Sequence, residues 1–379
     1  MLRKPLLFFV GLAVLAHAAT AAEDAEAGED DLTAKLEAIR KEHDLPALAA
    51  AAMLHGKLVE NAAVGVRKLD GLDWVTTDDK WHIGSCTKSM TATLAAMFVD
   101  EGKITWNTTV ADVFPELRHT MCGHWSEVTL EQLLTHLGGA PLKPPRSLWN
   151  EALQQIGTPM NQRYNLLRGL FTRPIAAPRG SKFIYSNEGY AIAGAMLERV
   201  TGRPWEELMR ERIFEPLGMT TAGFGTPASV GEVDQPWGHA GPIGELRPVP
   251  PGPKADNPPA IAPAATVHCS LADFARYASW HAGTEHGGKM LLSYQGFDKL
   301  HQSAPGVEYG MGWLVQHRDW ADGFVFWHTG SNATFYAVMW VAPGKDAVFV
   351  AATNAAHEEA DDACNDAVVT LIRRVLGKE

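Results

Sequence analysis

Ser85 and Lys88 stand three residues apart in GSCTKSMTATLAAMFVDEG, Gly84 to Gly102, at the mouth of a run with helical apolar spacing. Positions i and i+3 share a helix face, so the hydroxyl and the amine point the same way, close enough to exchange a proton. An isolated Ser-x-x-Lys reads as a solvated lysine, and the pair gains meaning only from partners. Partners lie downstream: Tyr185 and Asn187 in FIYSNEGYA, and His328, Thr329 and Gly330 in FWHTGSNAT. A serine hydroxyl is a weak nucleophile until a neighbouring base removes its proton. Lys88, held in a partly desolvated cleft, shifts towards its neutral form, and nearby cations favour a Tyr185 phenolate, so the two can share that task. A helix start at Ser85 supplies a positive dipole end, and the backbone N–H of Ser85 can receive half of a developing oxyanion. Each partner also has a plain structural reading. Tyr185 could anchor the helix that begins near Gly189, Asn187 could cap it, and His328 could be a satisfied histidine in an apolar strand.

The elements that must hold these groups follow from periodicity. DDLTAKLEAIRKEHDLP places Leu32, Leu36 and Ile39 at helical spacing, and Pro46 closes the segment. ALAAAAMLHGKLVENAAVGVRK reads as two strands joined at His55, Gly56 and Lys57. EYGMGWLVQH, GFVFWHTG, TFYAVMWVA and AVFVAATN read as an antiparallel meander near the other end, and DDACNDAVVTLIRRVLG as a last helix with Val368, Leu371, Ile372 and Val375 on one stripe. Helical spacing dominates between them, over Thr87 to Glu101, Leu130 to Leu137 and Gly189 to Val200. The expected architecture is therefore α+β: an antiparallel sheet built from both chain ends, flanked by N- and C-terminal helices, with a mostly helical insert. The expected division is a leader at 1–22, a discontinuous sheet domain at 31–84 and 265–379, and a mainly helical domain at 85–264. The cleft between the last two is the natural ligand site. The proline-rich stretch 241–263 is expected to be a long surface loop and a wall of that cleft.

Taken together, SCTK, YSN and HTG, with VTLEQLLTHLGGAP between the first two, resemble the serine hydrolases of the penicillin-binding protein and class C β-lactamase superfamily. The chain is most similar to the branch of esterases and peptidases related to class C β-lactamases, and the resemblance runs from the first helix to the last. It implies a β-lactamase/transpeptidase-like fold and an acyl-enzyme formed on Ser85, with Lys88 and Tyr185 moving protons. It further implies that Asn187 bonds the substrate or Lys88, that Thr329 lines the cleft, that Gly330 lets the substrate approach the backbone, and that the N–H of Ser331 completes the oxyanion hole. His136 in LLTHLGGAP is expected to fix a loop. Many relatives begin the third motif with lysine, which helps hold a substrate carboxylate; His328 is a weaker anchor, so the expectation moves towards esters or amides, peptides included, without a strict carboxylate requirement. A D-alanyl-D-alanine carboxypeptidase, a class C-like β-lactamase, and a catalytically inactive module that binds peptidoglycan or a protein partner stay open as alternatives.

Composition bounds the rest. A chain of 379 residues with 46% hydrophobic residues can bury a sizeable core. Arg3 and Lys4, the apolar run Leu6 to Ala16 and the small residues that follow match an export leader, which implies a periplasmic or secreted protein. No run is long enough for a membrane span, so no stable span is expected. The formal charge of −11, or about −13 without the leader, disfavours nucleic acid and anionic membranes and leaves a small-molecule or peptide substrate as the partner; oligomeric state is not readable. Cys86, Cys122, Cys269 and Cys364 are widely spaced, which disfavours a thiol–zinc site and leaves three disulfide connectivities open; Cys86 reads as a packed thiol. A metal at His119, Cys122 and His124 is the weakest reading, because no matching ligand spacing accompanies them, and no metal or organic cofactor is expected. Asn107 and Asn332 head N-x-Thr sequons that read as chance, since a glycan at Asn332 would crowd the proposed site.

Overall fold

The structure is a computed structural model that describes residues 31–283, 290–304 and 306–377. The leader expected at 1–22 lies outside these residues. The main sheet has six antiparallel strands in the order β2-β1-β11-β10-β9-β8. Its first pair comes from the start of the chain, β1 (Ala47–Leu54) and β2 (Lys57–Gly65), and the other four are β8 (Leu314–Arg318), β9 (Gly323–Ser331), β10 (Tyr336–Ala342) and β11 (Ala347–Thr353). A smaller sheet, β3 (Lys80–His82), β7 (Val267–Ser270) and β4 (Gly223–Phe224), and a two-stranded ribbon, β5 (Gly238–Ala240) with β6 (Arg247–Val249), complete the strands of the described residues.

Side-chain alternation divides the main sheet between two cores. Leu48, Ala50, Ala52, Val338, Phe349 and Ala351 face the helices Leu32–Glu42 and Ala360–Leu376, whereas Ala49, Ala51, Met339, Val348 and Val350 join the larger core on the opposite face. A strand covered on both faces loses the polar half of its pattern, which is why ALAAAA is apolar at successive positions. The chain-end helices begin and stop on local signals: Asp31 accepts a hydrogen bond from the N–H of Thr33, and Gly377 closes the last helix in the left-handed conformation at φ 63°.

The insert centres on the helix Thr87–Asp100, buried from Thr87 through Phe98. A helix surrounded on every side needs no solvent-facing polar stripe, and the polar residues of this span, Thr87, Lys88, Ser89, Thr91 and Thr93, are buried as well. Beside it runs Asn187–Thr201, capped by the Ser186 hydroxyl on the N–H of Gly189 and closed by Gly202 at φ 70°. The proline-rich stretch runs mostly at the surface over 241–254 and departs from the expected surface loop at its buried end. Arg247–Val249 forms the ribbon with Gly238–Ala240, and Pro259 to Ala265 turn into short, buried helical segments. Proline is tolerated on a two-stranded edge and in the first turn of a helix, where its missing N–H has no partner to lose.

Candidate active site

Ser85 sits half-buried in a single 3₁₀ turn, Gly84–Cys86, that runs directly into Thr87–Asp100. The turn lies against the end of β9. A Cβ on Gly330 would lie 2.0 Å from the Ile83 carbonyl oxygen, and one on Gly84, at φ 49°, would lie 2.3 Å from the Ser331 nitrogen. Only two glycines allow the backbones of the first and third motifs to touch. Cys86 is a buried thiol whose Sγ meets the His328 carbonyl at 3.4 Å.

Lys88 is fully buried, and its Nζ has three oxygen neighbours: Ser85 Oγ at 3.0 Å, Asn187 Oδ1 at 2.7 Å and the Ala264 carbonyl at 3.1 Å. Burial lowers its pKa to about 7, against the opposing pull of Glu188. A neutral amine has two protons and one lone pair. Donation to Asn187 and to Ala264 leaves the lone pair for the hydroxyl of Ser85. Asn187 is the first residue of its helix and Ser186 is the cap, so the carboxamide is free to hold Lys88.

The Tyr185 phenol lies beside Ser85, and its ring is 4.6 Å from Lys88 Nζ. The expected preference for a phenolate does not develop. Burial is the largest influence and raises the phenol well above its ordinary value, so Tyr185 keeps its proton and stands as a donor. His136 fixes the segment that carries it: Nδ1 accepts from the N–H of Ser186 at 3.1 Å and the His136 carbonyl accepts from the N–H of Ile184 at 2.9 Å. The imidazole lies among the rings of Phe183, Tyr185, Tyr190 and Tyr309.

His328 is buried and neutral, its pKa lowered to about 3 by desolvation and then by Lys88. Nδ1 donates to the Thr329 carbonyl, which leaves Nε2 to accept from the Tyr309 hydroxyl at 3.3 Å. Thr329 is half-buried, Gly330 is buried against the nucleophile turn, and Ser331 is exposed at the strand end. Six of the seven residues expected around Ser85 thus gather about it from segments distant in the chain; Thr329 does not, because it pairs with Val338 on the face of the sheet turned to the chain-end helices, so its side chain points away from the expected cleft position.

Sequence reasoning missed the groups packed behind them. Ala264, the residue after the proline-rich stretch, reaches Lys88 through its carbonyl, which no side-chain pattern could flag. Glu188 is buried beside Asn187, and burial raises its pKa to about 7; the single proton of Ser186 is shared between the Pro141 carbonyl at 2.6 Å and Glu188 Oε2 at 3.2 Å. Tyr309 and the pair His82 and Asp256 also went unsingled. His119, Cys122 and His124 are exposed, and among the described residues no group of three His, Cys, Asp or Glu could hold a metal ion. All four cysteines are free thiols.

An accessible serine beside a buried amine, at the edge of an antiparallel sheet capped by a helical insert, defines a serine hydrolase with a penicillin-binding protein-like transpeptidase fold. Residues 32–373 match the beta-lactamase family model, and the chain belongs to that family. It is 28% identical over 333 residues to penicillin-binding protein 4 of Amycolatopsis lactamdurans, covering 84% of each chain. It is 30% identical over 196 residues to the lovastatin esterase of Penicillium rubens, covering 47% of this chain and 48% of that one. Among solved structures, the octameric penicillin-binding protein homologue from Pyrococcus abyssi superposes with a TM-score of 0.74 at 22% identity, over 92% of this chain and 77% of that one. The D-stereospecific amidohydrolase from Streptomyces sp. gives 0.69 at 20% identity, over 92% and 100%.

Proposed function

We propose that the chain is an exported, periplasmic or secreted hydrolase that cleaves uncharged esters, and amides more slowly, through an acyl-enzyme on Ser85. The observation that carries this reading is the set of three oxygens around Lys88 Nζ. It leaves a neutral Lys88 one direction in which to act as a base, towards the Ser85 hydroxyl. Ser85 attacks the carbonyl carbon as its proton passes to Lys88, and the N–H groups of Ser85 and Ser331 receive the oxyanion. Tyr185, protonated and next to Ser85, hands a proton to the leaving oxygen or nitrogen and recovers one from Lys88. Water then attacks the acyl-enzyme by the reverse of the same transfers. Gly330, against the Ser85 turn, lines the acyl side. Export rests on the charged and apolar pattern of the first 22 residues.

The preference for uncharged substrates follows from His328. Both ring nitrogens are engaged within the protein and the ring carries no charge, so the third motif offers a substrate carboxylate no cation. A peptidase reading stands second, supported by the likeness to penicillin-binding protein 4 over most of both chains. Intact-protein mass spectrometry of acid-quenched mixtures separates them. With a p-nitrophenyl ester, wild-type protein gains the acyl mass and Ser85→Ala does not; benzylpenicillin labels more slowly. Faster labelling by the penicillin would reverse the ranking. If neither reagent labels and no product forms, the chain is a binding module.

A further inference from the structure

Behind the turn that presents Ser85 lies a second set of polar side chains that the acyl-transfer steps do not use. His82 closes β3 and is completely buried. Its Nδ1 accepts from the N–H of Gly84 at 3.1 Å, which puts the ring proton on Nε2, and Nε2 donates to Asp256, 3.0 Å from Oδ1 and 3.1 Å from Oδ2. Asp256 Oδ1 also accepts from Asn332 Nδ2 at 3.0 Å. Asn332 Oδ1 in turn receives the N–H of Thr334 at 3.1 Å, the Thr334 hydroxyl at 2.9 Å and the N–H of Phe335 at 2.9 Å. The side chain of Asp256 is only 6% exposed, so its bond to the buried His82 forms away from solvent competition.

The two ends of this network fall beside the two ends of the oxyanion hole. Gly84, held through His82, directly precedes Ser85; Asn332, held by Asp256 itself, directly follows Ser331. The three side chains come from three different segments: the strand before the nucleophile, the proline-rich stretch, and the turn after β9. We propose that Asp256 is a positioning residue that ties His82 to Asn332 and so sets the spacing between the N–H groups of Ser85 and Ser331. The inference rests on the acyl-enzyme reading above. A proton relay does not fit, because His82 Nδ1 is occupied by Gly84. Oxyanion donors work over a few tenths of an ångström, and a misplacement of about 1 Å can cost roughly 10²-fold. The proline-rich stretch thereby carries the carboxylate that joins the strand before the nucleophile to the turn after β9.

The test uses the full chain with Asp256→Ala and Asp256→Asn, a p-nitrophenyl ester, and an alkyl boronic acid that mimics the tetrahedral intermediate on Ser85. In the asparagine variant one oxygen still accepts from His82, while its NH2 opposes the NH2 of Asn332. The expected result is a fall in kcat of about 10-fold for Asp256→Asn and up to roughly 10²-fold for Asp256→Ala, with boronate affinity falling in parallel and KM for the ester changing less than about threefold. A change in packing alone would not lower boronate affinity in step with kcat while sparing KM. If Asp256→Ala does not fold, the asparagine variant decides the outcome by the same two readouts. Unchanged kcat, or reduced kcat with unchanged boronate affinity, overturns the positioning role and leaves the hydrolase reading intact. A wild-type protein that takes up neither the acyl group nor the boronate overturns both.

Discussion

One helix, Thr87–Asp100, carries a hydroxyl network on each side of its first turns, and the two sides behave differently. At the front, Ser85 meets Lys88 and Tyr185 at the cleft. At the back, Ser89 accepts from the Tyr277 hydroxyl at 3.1 Å, Tyr277 meets Thr93 at 3.2 Å, Thr93 lies 3.5 Å from His281, and His281 Nδ1 meets His301 Nε2 at 3.1 Å. The back holds a serine, a tyrosine and two histidines, a fuller set of catalytic residue types than the front. Yet Ser89 gives its only proton to the Cys86 carbonyl at 2.8 Å, His301 Nδ1 donates to the Phe297 carbonyl, and the group is sealed beneath Trp280 and Trp313. Burial lowers both histidines, His301 to about 3, so neither carries charge. Residue type does not make a nucleophile; a base with one unspent lone pair and an open path to substrate does.

The largest effects should come from removing that base. Lys88→Met is expected to slow acylation of Ser85 roughly 10³-fold, and Tyr185→Phe about 10²-fold, both read from the burst of p-nitrophenol. The same lysine is expected to cost stability. Its pKa falls from 10.5 in the unfolded chain to about 7 in the fold, so between those values the unfolded state binds more protons and stability rises with pH. Below pH 7 the penalty is complete, a few kcal/mol at most once the bonds to Asn187 and Ala264 are counted against it. Thermal unfolding of Lys88→Met at pH 6 should therefore begin no lower than that of wild type. A variant that acylates normally, or unfolds well below wild type, would erase the distinction between a functional front and a structural back.

The next effect is in the pH profile. Acylation requires neutral Lys88, so kcat/KM for an uncharged ester should rise about tenfold per pH unit below about 7 and level above it. Glu188, buried beside Asn187, pulls Lys88 upward when ionised, and its own pKa is also about 7. The limb therefore belongs to the pair. Glu188→Gln keeps the shape and removes the charge, so the limb should move to lower pH with the plateau within about threefold of wild type. A limb that stays in place would show that Glu188 supports the helix start and nothing else.

The contrast also shows what a sequence makes legible. Ser85, Lys88, Tyr185 and His328 stood out because each lies in a short pattern, and the two-ended sheet stood out because period-two and period-3.6 runs separate cleanly along this chain. The back of the helix gave no such signal. Ser89, Tyr277 and His301 are scattered residues whose neighbours are fixed by packing between distant helices. Asp256 was hidden in, and Ala264 directly after, a stretch whose prolines argued for solvent, although proline at an edge or in a first helical turn is compatible with burial. The direction of the Tyr185 shift was likewise not readable, since it depends on whether burial or a neighbouring cation prevails.

The smallest effect gives the finest discrimination. Tyr277→Phe deletes a buried hydroxyl of the same kind as that of Tyr185, from the other side of the same helix. Ser89 keeps its bond to Cys86, and Thr93 keeps its bond to the Ser89 carbonyl at 2.9 Å, so no donor is stranded and the cost should be about 1 kcal/mol in chemical denaturation. Activity should stay within about twofold, because Ser89 reaches the Ser85 turn through the Cys86 carbonyl and keeps that bond in the variant. Should kcat fall in Tyr277→Phe as far as in Tyr185→Phe, with the stability change still small, the rear network would have to steer the Ser85 turn, and the two sides of the helix would act as one site.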